Sequence, residues 1–447
     1  MRRRDFVKSA ATAAALTAAS YERVLGANNK VNLGFVGLGN RGDQVLDAFL
    51  EHGDSEIGAL CDLRQDYIDY HHERTAKRGG RTRYKDYRKL LEQKDLDAVV
   101  ICTPDHWHAL QTIEAAMAGL DIYVEKPLSL TVVEGRRMVE AIRKYKRVSQ
   151  VGTHRRSLKW LHQLTGMTTS GHLGHISVAD SFYVANDWPN GIGSPAGTTA
   201  PMDYDWNQWL GPAPEQPYNL NKTFYNFRWF FPFSGGQVTN FGVHYMDVIQ
   251  WSLGHDAPLR VSAMGGRYAV KDNREVPDTA KIIWEYTGGT LASFNQYNAN
   301  GAKPLKGQEM ELRGTKGTAY IFGKGFEIVP DVVREHSRYQ RTPLDRETER
   351  KLKAKTETFI EPMEVKGSSD TAFHARNFLD CVKSRETCNA DIEIGHRSTS
   401  ATLIANIALK TGKLLEWDRD REMFTNDVSA NQYLHYEYRK GFELPKI

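Results

Sequence analysis

The sequence predicts an α/β protein: a Rossmann domain with a parallel sheet, followed by an α+β domain with a large, open and mostly antiparallel sheet. Two observations support this prediction. Within residues 31–152, short apolar runs alternate with amphipathic stretches, as in the strand–helix–strand units of a parallel sheet. From residue 176 onwards, segments rich in β-branched and aromatic residues are separated by glycine turns, which indicates antiparallel hairpins.

Composition excludes several classes of protein. The chain has 447 residues, enough for two or three domains, and a formal charge of only +4, which gives no surface suited to nucleic acid. No apolar run approaches the roughly 20 residues that span a membrane. With four cysteines and no CxxC motif, we predict no metal site. Cys381 and Cys388 could pair, but two free thiols are favoured.

The first 28 residues resemble an export signal. Arg3 and Arg4 are followed by Phe6 and Lys8, and then by a mildly apolar Ala/Thr stretch. This pattern predicts a twin-arginine signal, cleaved between residues 19 and 29, and therefore an exported, periplasmic protein of a bacterium. A disordered basic N-terminus is the alternative.

The first predicted strand, residues 31–36, leads directly into a GxGxxG turn and then a helix. In such a turn the first glycine allows the tight bend, the second lets backbone approach a pyrophosphate, and the third lets helix pack on strand. The helix N-terminus then offers free N–H groups to the phosphates. We therefore predict that a dinucleotide binds at Gly37, Leu38, Gly39, Asn40, Arg41 and Gly42.

A second predicted strand, residues 56–61, ends at Asp62. An acidic residue at this distance from the first glycine is placed to bind the ribose hydroxyls. Its charge repels a 2′-phosphate and favours NAD, whereas Arg64 could accept the 2′-phosphate of NADP. NAD is predicted, and NADP stays possible.

Two further strands, residues 98–102 and 121–124, also end in polar clusters. Because ligands in open parallel sheets bind beyond the carboxyl ends of the strands, these clusters are expected on the rim that carries the glycine turn. The predicted cofactor contacts here are Thr103, Pro104, His106 and His108 from a loop, and Glu125 and Lys126. Helices are predicted over 109–118 and 131–145, and a last strand over 149–152.

The remaining chain supplies the second domain. Strands are predicted over 176–183, 280–286 and 290–294, the last two forming a hairpin, and a helix over 239–253. The charged stretch 334–355 is expected to be a solvated excursion, and helices are predicted over 373–383 and 398–415. The predicted divisions are a signal (1–28), a Rossmann domain (29–152), an α+β domain (153–370) and C-terminal helices with a tail that pack back on the first domain (371–447).

Several motifs together resemble the Gfo/Idh/MocA oxidoreductases. They are the glycine turn, Thr-Pro-Asp-His-Trp-His-Ala at 103–109, Glu-Lys-Pro at 125–127, Trp-Asn-Gln-Trp-Leu-Gly-Pro at 206–212, and Gly-Gly-Gln-Val at 235–238 leading to Gly-Val-His at 242–244. The resemblance implies an NAD(P)-binding domain, nicotinamide at the interface between two domains, and a sugar or polyol substrate. It also implies a homo-oligomer, a dimer or tetramer, formed through the open sheet.

The resemblance also implies catalytic residues. In relatives the lysine of Glu-Lys-Pro, here Lys126, lies beside the reacting carbon, and the following proline often has a cis peptide bond. An aspartate and a histidine four residues apart often complete the site; the histidine matches His244, but Asn240 replaces the aspartate. Because an asparagine cannot take a proton, proton transfer is expected of Lys126 and His244, with Asn240 positioning the substrate. Asp247 could orient His244 or be purely structural.

Three basic residues are candidates for substrate binding. His154 and Arg155 follow the last Rossmann strand, and Arg228 lies in the aromatic segment 225–231. Aromatic faces beside an arginine suit a sugar ring or an acidic sugar. A surface basic pair and an aromatic core are the competing interpretations.

These residues favour an NAD(P)-dependent oxidoreductase acting on a sugar or polyol. The alternative is a redox-type glycoside hydrolase that retains its NAD, oxidises a sugar transiently and restores the hydride. A third possibility is a sugar-binding protein without turnover, marked by Asn240.

Overall fold

The computed structural model describes residues 30–78, 82–332 and 357–447. The predicted export signal and the charged stretch 334–355 both lie outside these residues. Within them, no helix is both long enough and apolar enough to cross a bilayer. The four cysteines, all in the described ranges, are free thiols.

The first domain is built on a six-stranded sheet in which every neighbouring pair is parallel. Its strand order is β3-β2-β1-β4-β5-β6. One of the two central strands, residues Ala98–Ile101, is buried along its whole length, as expected of a parallel strand covered on both faces. The strands are β1 (Val31–Val36), β2 (Ser55–Cys61), β3 (Thr82–Tyr84), β4 (Ala98–Ile101), β5 (Asp121–Val124) and β6 (Ser149–Val151).

Helices connect these strands. They are α1 (Asn40–Leu50), α2 (Gln65–Arg74), α3 (Tyr87–Leu91), α4 (Asp105–Met117) and α5 (Val132–Tyr145). Helix α5 begins with a capping box between Thr131 and Glu134. Helix α4 begins four residues earlier than predicted, so residues 105–108 of the expected polar loop form its first turn. Asp105 in that turn places a negative charge at the positive end of the helix dipole, which stabilises the early start.

The second domain is built on a ten-stranded sheet, in which β7 and β10 are parallel and the other paired neighbours are antiparallel. The order is β14-β13-β12-β11-β7-β10-β9-β8-β15-β16. The predicted mostly antiparallel sheet is therefore confirmed, including the β9–β10 hairpin. The strands are β7 (Ile176–Val184), β8 (Arg260–Gly266), β9 (Thr279–Tyr286), β10 (Thr290–Tyr297), β11 (Met310–Gly314), β12 (Gly317–Phe322), β13 (Gly325–Pro330), β14 (Met363–Lys366), β15 (Leu415–Asp418) and β16 (Met423–Phe424).

The helices of the second half depart from prediction at two places. They are α6 (Lys159–Thr169), α7 (Trp206–Leu210), α8 (Gly236–Asn240), α9 (Gly242–Leu253), α10 (Ala372–Ser384) and α11 (Ile392–Thr411). The single helix predicted over 239–253 is two helices, α8 and α9, that meet at Phe241. Helix α11 starts six residues earlier than predicted, because the Asp391 carboxylate accepts a hydrogen bond from the Glu393 N–H and caps it.

The C-terminal part of the chain contacts both domains. Helix α10 covers the first sheet, with the Phe378 ring 6.1 Å from that of Phe49. Helix α11 lies against the second sheet, where the Trp284 indole donates to the Ala401 carbonyl at 2.9 Å. The tail then returns to the first domain, and its Phe442 ring lies 5.7 Å from that of Trp107.

Candidate active site

The glycine turn between β1 and α1 is closed on two sides and open on the third. Gly37 has a φ of +88°, and a Cβ there would lie 2.7 Å from the Cys102 carbonyl carbon. A Cβ on Gly42 would lie 2.0 Å from the Gly37 carbonyl oxygen. A Cβ on Gly39 would meet only the Tyr67 ring, at 3.8 Å. Gly39 therefore faces free space, as a position that lets backbone approach a ligand requires.

A cavity extends from this open side. Helix α1 begins here without a side-chain cap, so its first N–H groups remain available to an anion. The walls come from both domains, and Tyr204, Trp209 and Phe224 of the second domain line the cavity together with the glycine turn. The predicted cofactor residues that line it are Gly37, Gly39, Asn40, Arg41, Asp62, Arg64, Thr103 and Pro104.

Asp62 lies at the carboxyl end of β2 and is tied to the glycine turn. Its two carboxylate oxygens accept hydrogen bonds from the Leu38 N–H at 2.7 Å and the Arg64 N–H at 2.9 Å. Burial raises the pKa of this carboxyl group, and the two N–H donors oppose the rise. The Arg64 guanidinium donates to Asp66 at 2.9 Å and lies 4.7 Å from the centre of the Tyr67 ring. Its charge is therefore paired with a carboxylate.

Six other predicted cofactor residues are not among those that line this cavity, namely Leu38, Gly42, His106, His108, Glu125 and Lys126. The His106 ring is 3.1 Å from the Trp209 carbonyl oxygen, and burial lowers its pKa to about 3. The two ring nitrogens of His108 each lie 2.8 Å from a carbonyl oxygen, those of Thr103 and Pro127. Both histidines thus bind protein groups that form the rim, and a direct contact with the cofactor stays a prediction for them.

Glu125 connects the glycine-turn helix to the lysine that follows it. Its carboxylate accepts from the Arg41 Nε at 2.9 Å and from the Lys126 N–H at 3.1 Å. The side chain is buried, and the Arg41 and Lys126 charges together keep its pKa low against the effect of burial. The ion pair between Arg41 and Glu125 thus connects the start of α1 to the end of β5.

Lys126 contacts Asn240 across the domain interface. The peptide bond to Pro127 is cis. The Lys126 Nζ donates to the Asn240 Oδ1 at 2.8 Å and to the Asn240 carbonyl oxygen at 3.0 Å. That carbonyl is accessible because the helix is interrupted at Phe241, and the His244 N–H donates to the Phe241 carbonyl at 3.0 Å instead. Burial lowers the pKa of Lys126 to about 8, with help from the Arg228 and Arg41 charges and against Glu125.

His244 is held as a neutral imidazole. Burial and the neighbouring Lys126 and His154 keep its pKa well below the usual range. Its ring lies 5.1 Å from that of His154, and its Nδ1 is buried without a hydrogen-bond partner among the described residues. A neutral histidine with a free ring nitrogen can bind a hydroxyl group of a ligand.

Asp247 does not have the orienting role that sequence reasoning offered for it. Both of its carboxylate oxygens accept from the Arg156 Nε at 2.9 Å, and one also accepts from the Ser398 hydroxyl at 2.6 Å. The side chain is fully buried. Because Arg156 and Ser398 already bind the carboxylate, the structural interpretation of Asp247 is the correct one.

The candidate substrate residues surround the same region. Arg155 donates to the Glu309 carboxylate at 2.5 Å, and its other terminal nitrogen is buried without a partner among the described residues. Arg228 lines the cavity and lies 4.5 Å from the centre of the Tyr225 ring. Arg155 belongs to the first segment after β6 and acts on His244, whereas Arg228 belongs to the second domain and acts on Lys126.

Sequence reasoning missed two residues of this site. The Gln237 carboxamide accepts from the Asn240 Nδ2 at 3.1 Å and donates to the Tyr183 hydroxyl at 3.1 Å. Gln237 lies in the Gly-Gly-Gln-Val motif at 235–238, which could have signalled it. Tyr183 is the penultimate residue of β7 and has no local signal of this kind.

The site fits a bound dinucleotide. The open face of Gly39 and the uncapped start of α1 suit the pyrophosphate, and Asp62 at the end of β2 suits the ribose hydroxyls. Lys126 and His244 lie near one another at the contact between the two domains, and their role toward a nicotinamide and a substrate stays a prediction.

Two profiles of one protein family match the chain. The profile described as an oxidoreductase family with an NAD-binding Rossmann fold matches residues 31–153. The profile of the C-terminal alpha/beta domain of that family matches residues 175–320 and 350–444. Together they cover both domains described above.

Individual relatives match only a part of the chain. The alpha-N-acetylgalactosaminidase of Shewanella oneidensis is 37% identical over 110 residues, which are 23% of this chain and 24% of the relative. The chain thus matches only about a quarter of the length of its Shewanella relatives.

Solved structures match over most of the chain. Aldose-aldose oxidoreductase from Caulobacter crescentus has a TM-score of 0.62 at 17% identity, over 87% of this chain and 99% of its own. The WlbA dehydrogenase of Bordetella pertussis, in complex with NADH and UDP-GlcNAcA, has a TM-score of 0.59 at 19% identity, over 87% and 99%. At identities of 17% and 19%, these similarities show that the chain shares the fold of the two proteins and no more than that. By the two profiles, the chain belongs to the Gfo/Idh/MocA oxidoreductase family, with an NAD-binding Rossmann domain followed by the C-terminal alpha/beta domain of that family.

Proposed function

We propose that the protein transfers a hydride between the nicotinamide of NAD and the carbinol or carbonyl carbon of a sugar or polyol. The observation that carries this proposal is the Lys126 amine, held against both oxygens of Asn240 at the junction of the cofactor domain and the second domain. The Caulobacter and Bordetella structures support the sugar class, because their names state an aldose enzyme and a complex with a nucleotide sugar.

The residues of this chain would handle the proton of that reaction. NAD, when bound, supplies the site that accepts or donates the hydride. The two contacts to Asn240 use two of the positions on the Lys126 nitrogen, in the ammonium form and in the neutral amine alike. The remaining position therefore carries either the third proton or the lone pair, and it is the one that exchanges a proton with a substrate hydroxyl. A pKa of about 8 lets the amine act in both directions near neutral pH.

His244 and the arginines would position the substrate. The buried, unpartnered Nδ1 of His244 and the unpartnered nitrogen of Arg155 are polar groups that a substrate hydroxyl or carboxylate would satisfy. His154 lies beside His244, with the two ring centres 5.1 Å apart, and Arg228 lines the cavity. Asn240, whose carboxamide is bound by Lys126, contributes no proton transfer of its own.

NAD is proposed rather than NADP. The Asp62 carboxylate would repel a 2′-phosphate, and the Arg64 guanidinium that could attract one is paired with Asp66. We also propose export through the N-terminal signal and self-association through the open face of the second sheet, as the sequence resemblance implies.

The test is a screen of sugars and polyols with NAD and with NADP, in which reduced nicotinamide is followed by its absorbance. For any active substrate, Lys126→Ala is expected to lower kcat by about 10²- to 10⁴-fold, because general acid–base catalysis is lost, while NAD still binds. Lys366→Ala is the matched control, because that side chain is 87% exposed and far from the cavity in sequence and in fold. If Lys126→Ala equals the wild type on every active substrate, the proposed role of the lysine is wrong.

A second candidate is the NAD-dependent glycoside hydrolase. The partial match to an alpha-N-acetylgalactosaminidase favours it. Such an enzyme would release the aglycone from a nitrophenyl glycoside with no added NAD and no accumulation of NADH, whereas a dehydrogenase would require net reduction of the cofactor. Identifying the nucleotide released when the purified protein is denatured shows in addition whether NAD is retained.

A further inference from the structure

A series of three hydrogen bonds leads away from Lys126 into the second domain. The Lys126 Nζ donates to the Asn240 Oδ1 at 2.8 Å, the Asn240 Nδ2 donates to the Gln237 Oε1 at 3.1 Å, and the Gln237 Nε2 donates to the Tyr183 hydroxyl at 3.1 Å. Asn240 and Gln237 are 5% and 4% exposed, so water does not substitute for these partners. The series begins at a cation and ends at a phenol.

The Lys126 ammonium group at one end of the series and the Tyr183 phenol at the other determine how the Asn240 and Gln237 carboxamides are oriented. An ammonium group has only donors, so it requires the oxygen of Asn240 rather than its NH₂ group. The NH₂ group of Asn240 then needs an acceptor, and the Gln237 oxygen is in place. The NH₂ group of Gln237 needs one in turn, and a phenol oxygen can accept where an apolar ring could not.

We infer that Tyr183 and Gln237 are positioning residues that fix the Asn240 carboxamide with its oxygen toward Lys126. The inference deepens the proposed function, because it assigns the groups that prepare the proposed proton carrier. Neither residue has been given a role by the motifs, and neither carries a formal charge. They act through the orientation of one amide group.

The orientation of the Asn240 carboxamide determines how many acceptors surround the Lys126 nitrogen. With the carboxamide fixed, the nitrogen keeps both Asn240 oxygens as acceptors, and one position on the nitrogen is left for a substrate. If the amide could rotate, its NH₂ group would oppose the ammonium, and the charged form would lose an acceptor in a buried place, which is costly. The charged and titratable groups that also act on Lys126 are Glu125, Arg41, Asp105, Arg228, His154 and His244. None of these six residues is itself altered in the Tyr183 and Gln237 variants.

The experiment titrates Lys126 directly, by NMR of protein labelled with [6-¹³C]lysine, and the resonance is assigned by its absence in Lys126→Arg. In the wild type the midpoint is expected at about 8. Tyr183→Phe is expected to lower the midpoint by about one unit, because a hydrogen bond to a charged group is weakened. Asn240→Asp is expected to raise it by about one to three units, because a negative charge replaces a neutral oxygen.

Two further variants complete the test. Gln237→Met keeps the length of the side chain, removes both hydrogen bonds, and is expected to lower the midpoint as Tyr183→Phe does; it also serves if Tyr183→Phe does not fold. Tyr268→Phe removes a phenol hydroxyl from a side chain that is 69% exposed, and it is expected to leave the midpoint unchanged.

A merely structural role for the series would lower the melting temperature of these variants and leave the Lys126 titration where it is. That result, or an equal shift in Tyr268→Phe, overturns the inference. Because the titration needs no substrate, it distinguishes failure of the inference from failure of the proposed hydride transfer, which the sugar screen tests separately.

Discussion

Replacing Gly39 with alanine tests the cofactor turn without disturbing the fold. The backbone φ at this position is −72°, which alanine adopts, and the added Cβ meets only the Tyr67 ring, at the ordinary contact distance of 3.8 Å. We expect the free energy of unfolding to change by less than about 1 kcal/mol, the size of an unfavourable residue at the helix N-cap.

The affinity for NAD should nevertheless fall. The new methyl group occupies the side from which the backbone of the turn meets the pyrophosphate. Loss of one hydrogen bond to a charged group costs about 1.5–3 kcal/mol, which corresponds to a rise in Kd of about 10- to 100-fold. The measurement is a titration with NAD, followed by quenching of the tryptophan fluorescence, since Trp107 and Trp209 line the cavity.

Gly42→Ala is the matched comparison. Its Cβ would lie 2.0 Å from the Gly37 carbonyl oxygen, so the backbone itself must move. We expect a loss of about 1–3 kcal/mol or more in the free energy of unfolding, measured with urea, together with loss of NAD binding. If Gly39→Ala bound NAD as tightly as the wild type, the placement of the pyrophosphate over this turn would be refuted.

Two further predictions concern stability. Asp247→Ala leaves the Arg156 guanidinium without its carboxylate and is expected to lower the free energy of unfolding by about 3–5 kcal/mol while NAD binding persists; a loss of turnover at unchanged stability would contradict the structural role of Asp247. Glu422 has its pKa lowered to about 2, because hydrogen bonds from His396 and Arg136 outweigh the effect of burial. Its stabilising contribution of at most about 3 kcal/mol is therefore complete above about pH 4.5 and is lost as the pH falls toward about 2. Urea unfolding at about pH 5 and about pH 3 should show a smaller difference for Glu422→Gln than for the wild type, and an equal difference would count against this assignment.

Local sequence was sufficient to place the glycine turn and Asp62 at the cavity. The tight turn at Gly37 and the acidic residue at Asp62 depend on neighbours a few positions away and on a strand order that parallel sheets repeat. Lys126 also follows a strand whose carboxyl end must lie on that rim, but a lysine at a strand end is usually a solvated charge, so the role predicted for it came from the Glu-Lys-Pro resemblance.

The rest of the site depends on pairings that are distant in the chain. Nothing near Asp247 indicates that Arg156 binds it, and the Tyr183 hydroxyl reaches Gln237 only because β7 lies beside α8. Helix ends were also misplaced where a side chain decides them, as Asp391 does for α11. Which side chains form such hydrogen bonds is determined by the tertiary packing of the whole chain, and no single segment of sequence contains that information.

The tail of the chain gives the cofactor cavity a dependence on the order of synthesis. Arg439 donates to the carbonyl oxygens of Asn207 at 2.7 Å and Gly211 at 2.9 Å, and so fixes the segment that carries the cavity residues Gln208 and Trp209. More than 200 residues separate this segment from Arg439. During translation the segment 207–211 therefore lacks these two hydrogen bonds until Arg439 has been added, so this wall of the cavity is complete only when the C-terminal residues have folded against it.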